Sequence, residues 1–209
     1  MIDHSQSLFS APAACLATLY SPRKFVGVPD GGYLVTDHHV EPPLETDEGS
    51  VDRFPYLLKR LNGGAEAGYA DYAAAEASLH GQPPRRMSAL TRTLLSCVDY
   101  ETVRVRRIEN YRLLDDRLAS ANRHRFALAD RQAAAPMCYP FSGAREDARA
   151  ALARMRVYTP CYWPDVASTP QAPDIERRFA ARTLFLPCDQ RLTQDQVEHM
   201  ARLVLDQLE

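Results

Sequence analysis

The longest regular pattern in this sequence runs through residues 88–120. There Leu90, Leu94, Val98, Val105, Ile108, Tyr111, Leu114 and Leu118 recur at roughly helical spacing. Ser88 stands in front of the run and is a residue type that caps helix N-termini. The spacing predicts one long helix joining two domains, with segments at 1–87, 88–121 and 122–209. Its charged residues, Arg104, Arg106, Arg107 and Arg112 with Glu101, Glu109, Asp115 and Asp116, read as a solvated face.

The texture differs on the two sides of that helix. Upstream, residues 54–61 read as a short helix with Pro55 in its first turn. Asn62-Gly63-Gly64 stops it, and residues 66–79 form an alanine-rich helix ended by Gly81-Gln82-Pro83-Pro84. Downstream, strand-like runs alternate with helices. Phe126-Ala127-Leu128, residues 136–141, Val157-Tyr158-Thr159 and residues 183–186 read as strands, and residues 143–155 and 174–182 as helices. Thr193-Gln194-Asp195-Gln196 is a capping box. It opens a helix whose Val197, Met200, Ala201, Val204, Leu205 and Leu208 make one apolar stripe. The pattern is α/β, closing in a small sheet with helices packed on it.

A formal net charge of −2 over 209 residues excludes the basic excess of a nucleic-acid binder. No apolar run reaches membrane-spanning length, and the first residues lack the basic and apolar regions of a signal peptide, so a cytoplasmic protein is expected. Five cysteines, none in a C-x-x-C pair, read as reduced, mostly buried thiols. His38 and His39 lie in an acidic, proline-bearing loop, residues 37–50. Adjacent histidines point apart and no second ligand cluster has metal-site spacing, so the loop reads as solvated and no metal is expected.

Chemistry concentrates near the start, in Ser21-Pro22-Arg23-Lys24-Phe25-Val26-Gly27-Val28-Pro29-Asp30-Gly31-Gly32-Tyr33. Lys24 has apolar neighbours on its C-terminal side. Burial would disfavour its ammonium, an adjacent Arg23 would do the same, and a neutral amine attacks carbonyls. A lysine beside proline and glycine is, however, usually a loop charge, and these features alone favour that reading. Residues 27–32 lack both G-x-G-x-x-G and the G-x-x-x-x-G-K-[ST] pattern and read as a tight turn built on Pro29-Asp30-Gly31.

Asp3-His4-Ser5-Gln6, then Ser21-Pro22-Arg23-Lys24, then Gly31-Gly32 and the apolar Tyr33-Leu34-Val35 resemble the core of the fold-type-I pyridoxal-phosphate enzymes. The closest resemblance is to the DegT/DnrJ/EryC1/StrS sugar aminotransferases. Glu109-Asn110-Tyr111-Arg112-Leu113-Leu114 and the ending, Leu184-Phe185-Leu186-Pro187 before the Thr193-capped helix, are similar to later stretches of that family. The resemblance implies a remnant of the large domain carrying the lysine, a long connecting helix, and a small C-terminal α+β domain.

It also implies roles. Asp3 would sit against the pyridine nitrogen of pyridoxal 5′-phosphate, and Gln6 near the ring's phenolic oxygen. Ser21 would touch the phosphate, although its spacing to Lys24 is shorter than in typical sugar aminotransferases. Lys24 would form the Schiff base and shuttle the proton. An amino donor and a keto-sugar nucleotide acceptor are the implied substrates, and a homodimer the implied assembly. Members of the fold carry about as much chain again before the aspartate, including the glycine-rich phosphate loop, so this chain is expected to be the C-terminal portion. It would be a transaminase once completed by the N-terminal part. The alternatives are a catalytically silent truncated module with an interaction or vestigial role, and an unrelated small α/β protein. The joint presence of Asp3, Gln6 and Lys24 favours the first reading.

Overall fold

The computed structural model describes residues 1–124 and 134–208. The strand expected at Phe126-Ala127-Leu128 lies outside the described residues. The chain divides into two compact units, Met1–Tyr100 and Glu101–Glu209. Among the described residues no helix is long and apolar enough to cross a membrane.

The first unit holds a three-stranded sheet of very short strands. β1 (Ile2–His4) pairs in parallel with β2 (Thr18–Tyr20), with Asp3 opposite Leu19, and β2 pairs antiparallel with β3 (Tyr33–Val35). β2 is central, and Thr18 and Tyr20 bury one of its faces. After β2, Pro22 supplies the fixed φ that starts a single 3₁₀ turn, Pro22–Lys24, closed by the amides of Phe25 and Val26 donating to the Pro22 carbonyl. Phe25, Val26 and Val28 then turn inward and are buried. Lys24 thus caps a short rigid turn at the surface while the residues after it anchor that turn in the core.

Four helices complete this unit: α1 (Ser50–Arg53), α2 (Pro55–Gly63), α3 (Tyr69–Leu79) and α4 (Ala89–Ser96). α2 ends at Gly64, whose φ of +86° only glycine adopts without strain. The Ser88 hydroxyl accepts the Thr91 amide at 3.0 Å and starts α4.

Residues 88–120 form two helices rather than the single one expected. α4 stops at Ser96, and α5 (Tyr100–Leu118) begins after Cys97-Val98-Asp99. Val98 is β-branched and Asp99 is a residue type favoured just before a helix, so the break has a local cause that the apolar spacing masks.

The second unit packs α5, α6 (Ala148–Arg154) and α9 (Gln194–Leu205) around a two-stranded antiparallel sheet, β4 (Cys138–Phe141) and β5 (Leu184–Pro187). The register sets Tyr139 opposite Leu186 and Phe141 opposite Leu184. These four share one face and meet Leu114 and Leu118 of α5, Leu152 of α6, and Val197, Met200, Ala201 and Val204 of α9 in a continuous core. On the other face Phe185 contacts Tyr162, Trp163 and Phe179, Trp163 standing in front of the short α7 (Pro164–Ser168) and Phe179 lying in α8 (Asp174–Arg182). The Thr193 capping box is formed in both directions. Leu205, the last residue of α9, and Leu208, beyond its end, both expected on the buried stripe, are more than a third exposed.

Two further expectations fail for identifiable reasons. Val157-Tyr158-Thr159 is not a strand. Arg156 precedes it at φ +63°, and Arg149 Nη1 takes the Thr159 and Pro160 carbonyls at 3.0 and 2.5 Å, so a side chain replaces the ladder. Arg107, read as part of a solvated face, is buried. Its guanidinium donates to Gln190 Oε1 at 2.9 Å and to the Pro136 and Met137 carbonyls at 3.2 and 3.3 Å.

Candidate functional site

The parallel pairing of β1 with β2 carries the chain from Asp3 back past the turn that holds Lys24. Ser5, two residues after Asp3, closes the gap. Its amide donates to Asp3 Oδ1 at 2.7 Å, and Lys24 Nζ donates to Ser5 Oγ at 3.1 Å. An aspartate commonly takes an amide two residues on, which bends the chain out of a strand. Here that local habit ends β1 and delivers a hydroxyl to a lysine nineteen residues away.

The electrostatics follow the geometry. Asp3 is held below the ordinary carboxylate range, first by the Ser5 amide and then by the Ser5 hydroxyl, with the Lys24 ammonium adding a smaller pull. Lys24 is pushed below the usual lysine value, first by partial burial and then by the Arg23 charge, against the opposing pull of Asp3 and Glu76. Arg23 is held on the α3 side by a two-pronged ion pair with Glu76. The effect of Arg23 on Lys24 anticipated from the sequence is therefore present, although the guanidinium is engaged elsewhere.

His4 lies on the Tyr20 ring, centroids 5.5 Å apart and edge-on, and Tyr20 Oη donates to the Ser10 carbonyl at 3.0 Å. Gln6 is half-buried in the turn after β1. Ser21 sits in front of the 3₁₀ turn, where its carbonyl accepts the Lys24 amide at 3.3 Å and its hydroxyl caps nothing. Among the described residues neither the Gln6 nor the Ser21 side chain bonds to Asp3 or Lys24. Of the four residues expected at the site, two are brought together, and Ser5 is the residue that sequence reasoning passed over. Its signal was available, a serine at the second position after a strand-end aspartate.

The donor set can be tested against pyridoxal phosphate. An ionised carboxylate suits a protonated pyridine nitrogen, and a lysine with a depressed pKa suits a carbonyl. The chain has only two lysines. Lys59 is clamped on both oxygens of Asp71, at 2.7 and 2.8 Å, whereas Lys24 rests on a neutral hydroxyl. These groups fit.

No protein-family model matches the sequence, and no curated protein matches it. Solved structures do resemble it. The sugar aminotransferase CalS13 from Micromonospora echinospora is 20% identical, with a TM-score of 0.56 over 98% of this chain and 57% of its own. A DegT DnrJ EryC1 StrS aminotransferase from Brucella abortus is 14% identical, with a TM-score of 0.57 over 98% of this chain and 56% of its own. The PLP-form of the sugar aminotransferase Spr1654 from Streptococcus pneumoniae is 15% identical, with a TM-score of 0.55 over 97% of this chain and 56% of its own. The chain spans slightly more than half the length of the structures it resembles.

Proposed function

We propose that this chain, which has the fold of sugar aminotransferases over about half of their length, is the C-terminal portion of a pyridoxal-phosphate-dependent aminotransferase. Its first unit carries the cofactor lysine as part of the large domain, and its second is the small domain. The acceptor is a keto-sugar nucleotide, the donor an amino compound, and the working assembly a homodimer. The observation that carries this reading is the Asp3–Ser5–Lys24 chain of hydrogen bonds, which gathers a low-pKa carboxylate and a low-pKa amine at one surface of the first unit.

In this reading Lys24 would be the attachment point, and the Asp3 carboxylate would hold the proton of the pyridine nitrogen. Pyridoxal phosphate, when bound, supplies a conjugated ring that takes up the electron pair left on the amino-bearing carbon. Lys24 Nζ would take and return the proton at that carbon. Gln6 lies close in sequence to bond the phenolic oxygen, and Ser21 to contact the phosphate.

The test is the visible spectrum of the purified chain mixed with pyridoxal phosphate. The proposal expects a protein-dependent band that survives Lys59→Ala and disappears in Lys24→Ala. A spectrum of free pyridoxal phosphate, or a band unchanged in Lys24→Ala, overturns it.

A further inference from the structure

We propose that Ser5 is the positioning residue of this site, its amide holding the Asp3 carboxylate and its hydroxyl the Lys24 ammonium, so that the two stay in register. The inference rests on the aminotransferase reading for its purpose, but its geometry is independent of any cofactor. The Ser5 amide is committed to Asp3 Oδ1 at 2.7 Å, which fixes the hydroxyl on the same side. Oγ accepts from Lys24 Nζ at 3.1 Å, so one residue joins the carboxylate through its amide and the ammonium through its hydroxyl.

This arrangement has a directional consequence. While Lys24 is free, Ser5 holds its Nζ beside Asp3 and stabilises the charged form. When Lys24 is drawn off to a carbonyl, the Ser5 amide stays on Asp3 and favours the ionised carboxylate, the state a pyridine nitrogen would require. One serine thus serves two groups whose charges must be set in opposite senses. A direct Lys24–Asp3 ion pair would instead be lost whenever the lysine moved.

The groups facing Lys24 are Ser5 and Asp3 from the β1 end, Arg23 from its own turn and Glu76 from α3. Those facing Asp3 are Ser5, His4 and Lys24. Arg23 and Glu76 pair with each other and are untouched by a change at position 5, which leaves a clean comparison.

The experiment is a pH titration of the full chain without pyridoxal phosphate, following carbon-13 at lysine Cε and aspartate Cγ. With only two lysines, Lys59→Arg assigns the Lys24 signal. Ser5→Ala should lower the Lys24 midpoint by about 0.5–1 pH unit and raise the Asp3 midpoint. Ser5→Thr, which keeps the hydroxyl, should restore both. In an Asp3→Asn background, Ser5→Ala should move Lys24 less. Midpoints unchanged in Ser5→Ala, or a Ser5→Thr chain that titrates like Ser5→Ala, overturn the proposal. Failure of the functional reading appears separately, as absence of a Lys24-dependent band with pyridoxal phosphate.

Discussion

Thr91 Oγ1 donates to Asp30 Oδ1 at 2.5 Å across 61 residues of chain. The other oxygen of the same carboxylate accepts from Ser50 Oγ at 2.7 Å and from Arg53 Nε and Nη2 at 2.9 and 2.6 Å. Asp30, Ser50, Arg53 and Thr91 are all less than a tenth exposed. Gly31 stands beside the knot at φ +97°, where a Cβ would come within 2.9 Å of Thr91 Cγ2. The network therefore anchors the segment that follows the lysine turn to α1 and α4. Asp30→Ala removes two hydrogen bonds from a buried guanidinium that keeps Asp47, and should cost about 2–3 kcal/mol. Denaturant unfolding followed by tyrosine signals of the first unit checks this. A midpoint within error of the parent would show that the network does not stabilise the fold.

Arg53 Nη2 also reaches Asp47 Oδ2 at 2.5 Å, and the Gly49 amide donates to Asp47 Oδ1. Burial pushes the Asp47 carboxyl up, but the Arg53 hydrogen bond, the Gly49 amide and the Arg53 charge outweigh it, and the net value lies below the ordinary 3.8. The unfolded chain takes up this proton near 3.8 and the folded chain only at lower pH. Asp47 therefore contributes stability that is present above 3.8 and lost as pH falls through the lowered folded value. Asp47→Asn should flatten the acid limb of the stability profile of the first unit. An acid limb of unchanged slope would show that Asp47 carries none of it.

The expectation of five mostly buried thiols divides on inspection. Cys15, Cys97 and Cys161 are exposed, Cys138 is half-buried and Cys188 is buried. Burial pushes the Cys138 thiol up to about 12 against the opposing charge of Arg107, and raises that of Cys188 as well. A disulfide reagent at mildly alkaline pH should titrate three thiols quickly in the native chain and all five only in denaturant. Mass mapping that places early label on Cys188 would contradict the packing of β5.

Arg107 tests the second unit. Its removal leaves the Pro136 and Met137 carbonyls and Gln190 without their buried donor. Arg107→Ala should destabilise this unit by about 2–3 kcal/mol. Arg107→Lys should recover little, since an ammonium does not reproduce the guanidinium fork. Fluorescence of Trp163, the only tryptophan, reports the transition. Recovery of full stability in Arg107→Lys would show that charge rather than geometry matters.

The sequence by itself determined whatever is settled within one helical turn or one loop. Ser88 and Thr193 start their helices because a side-chain oxygen meets an amide three residues on. Pro22 starts the 3₁₀ turn through its fixed φ, and Gly64 ends α2 through its free one. Asp3 and Lys24 stood out in another way, through the resemblance of an ordered set of short motifs rather than through a local physical mark. Only the tertiary structure decided what depends on partners far along the chain. Arg53 and Arg107 look like surface charges until Asp30, 23 residues back, and Gln190, 83 residues on, are folded against them. Residues 157–159 have strand composition, yet Arg149 takes two of the carbonyls that a neighbouring strand would need. Ser5 is marked in sequence by standing two residues after a strand-end aspartate, but it takes its role from the groups that its amide and hydroxyl meet. That Lys24 and Asp3 are those groups was decided by the parallel pairing of two three-residue strands.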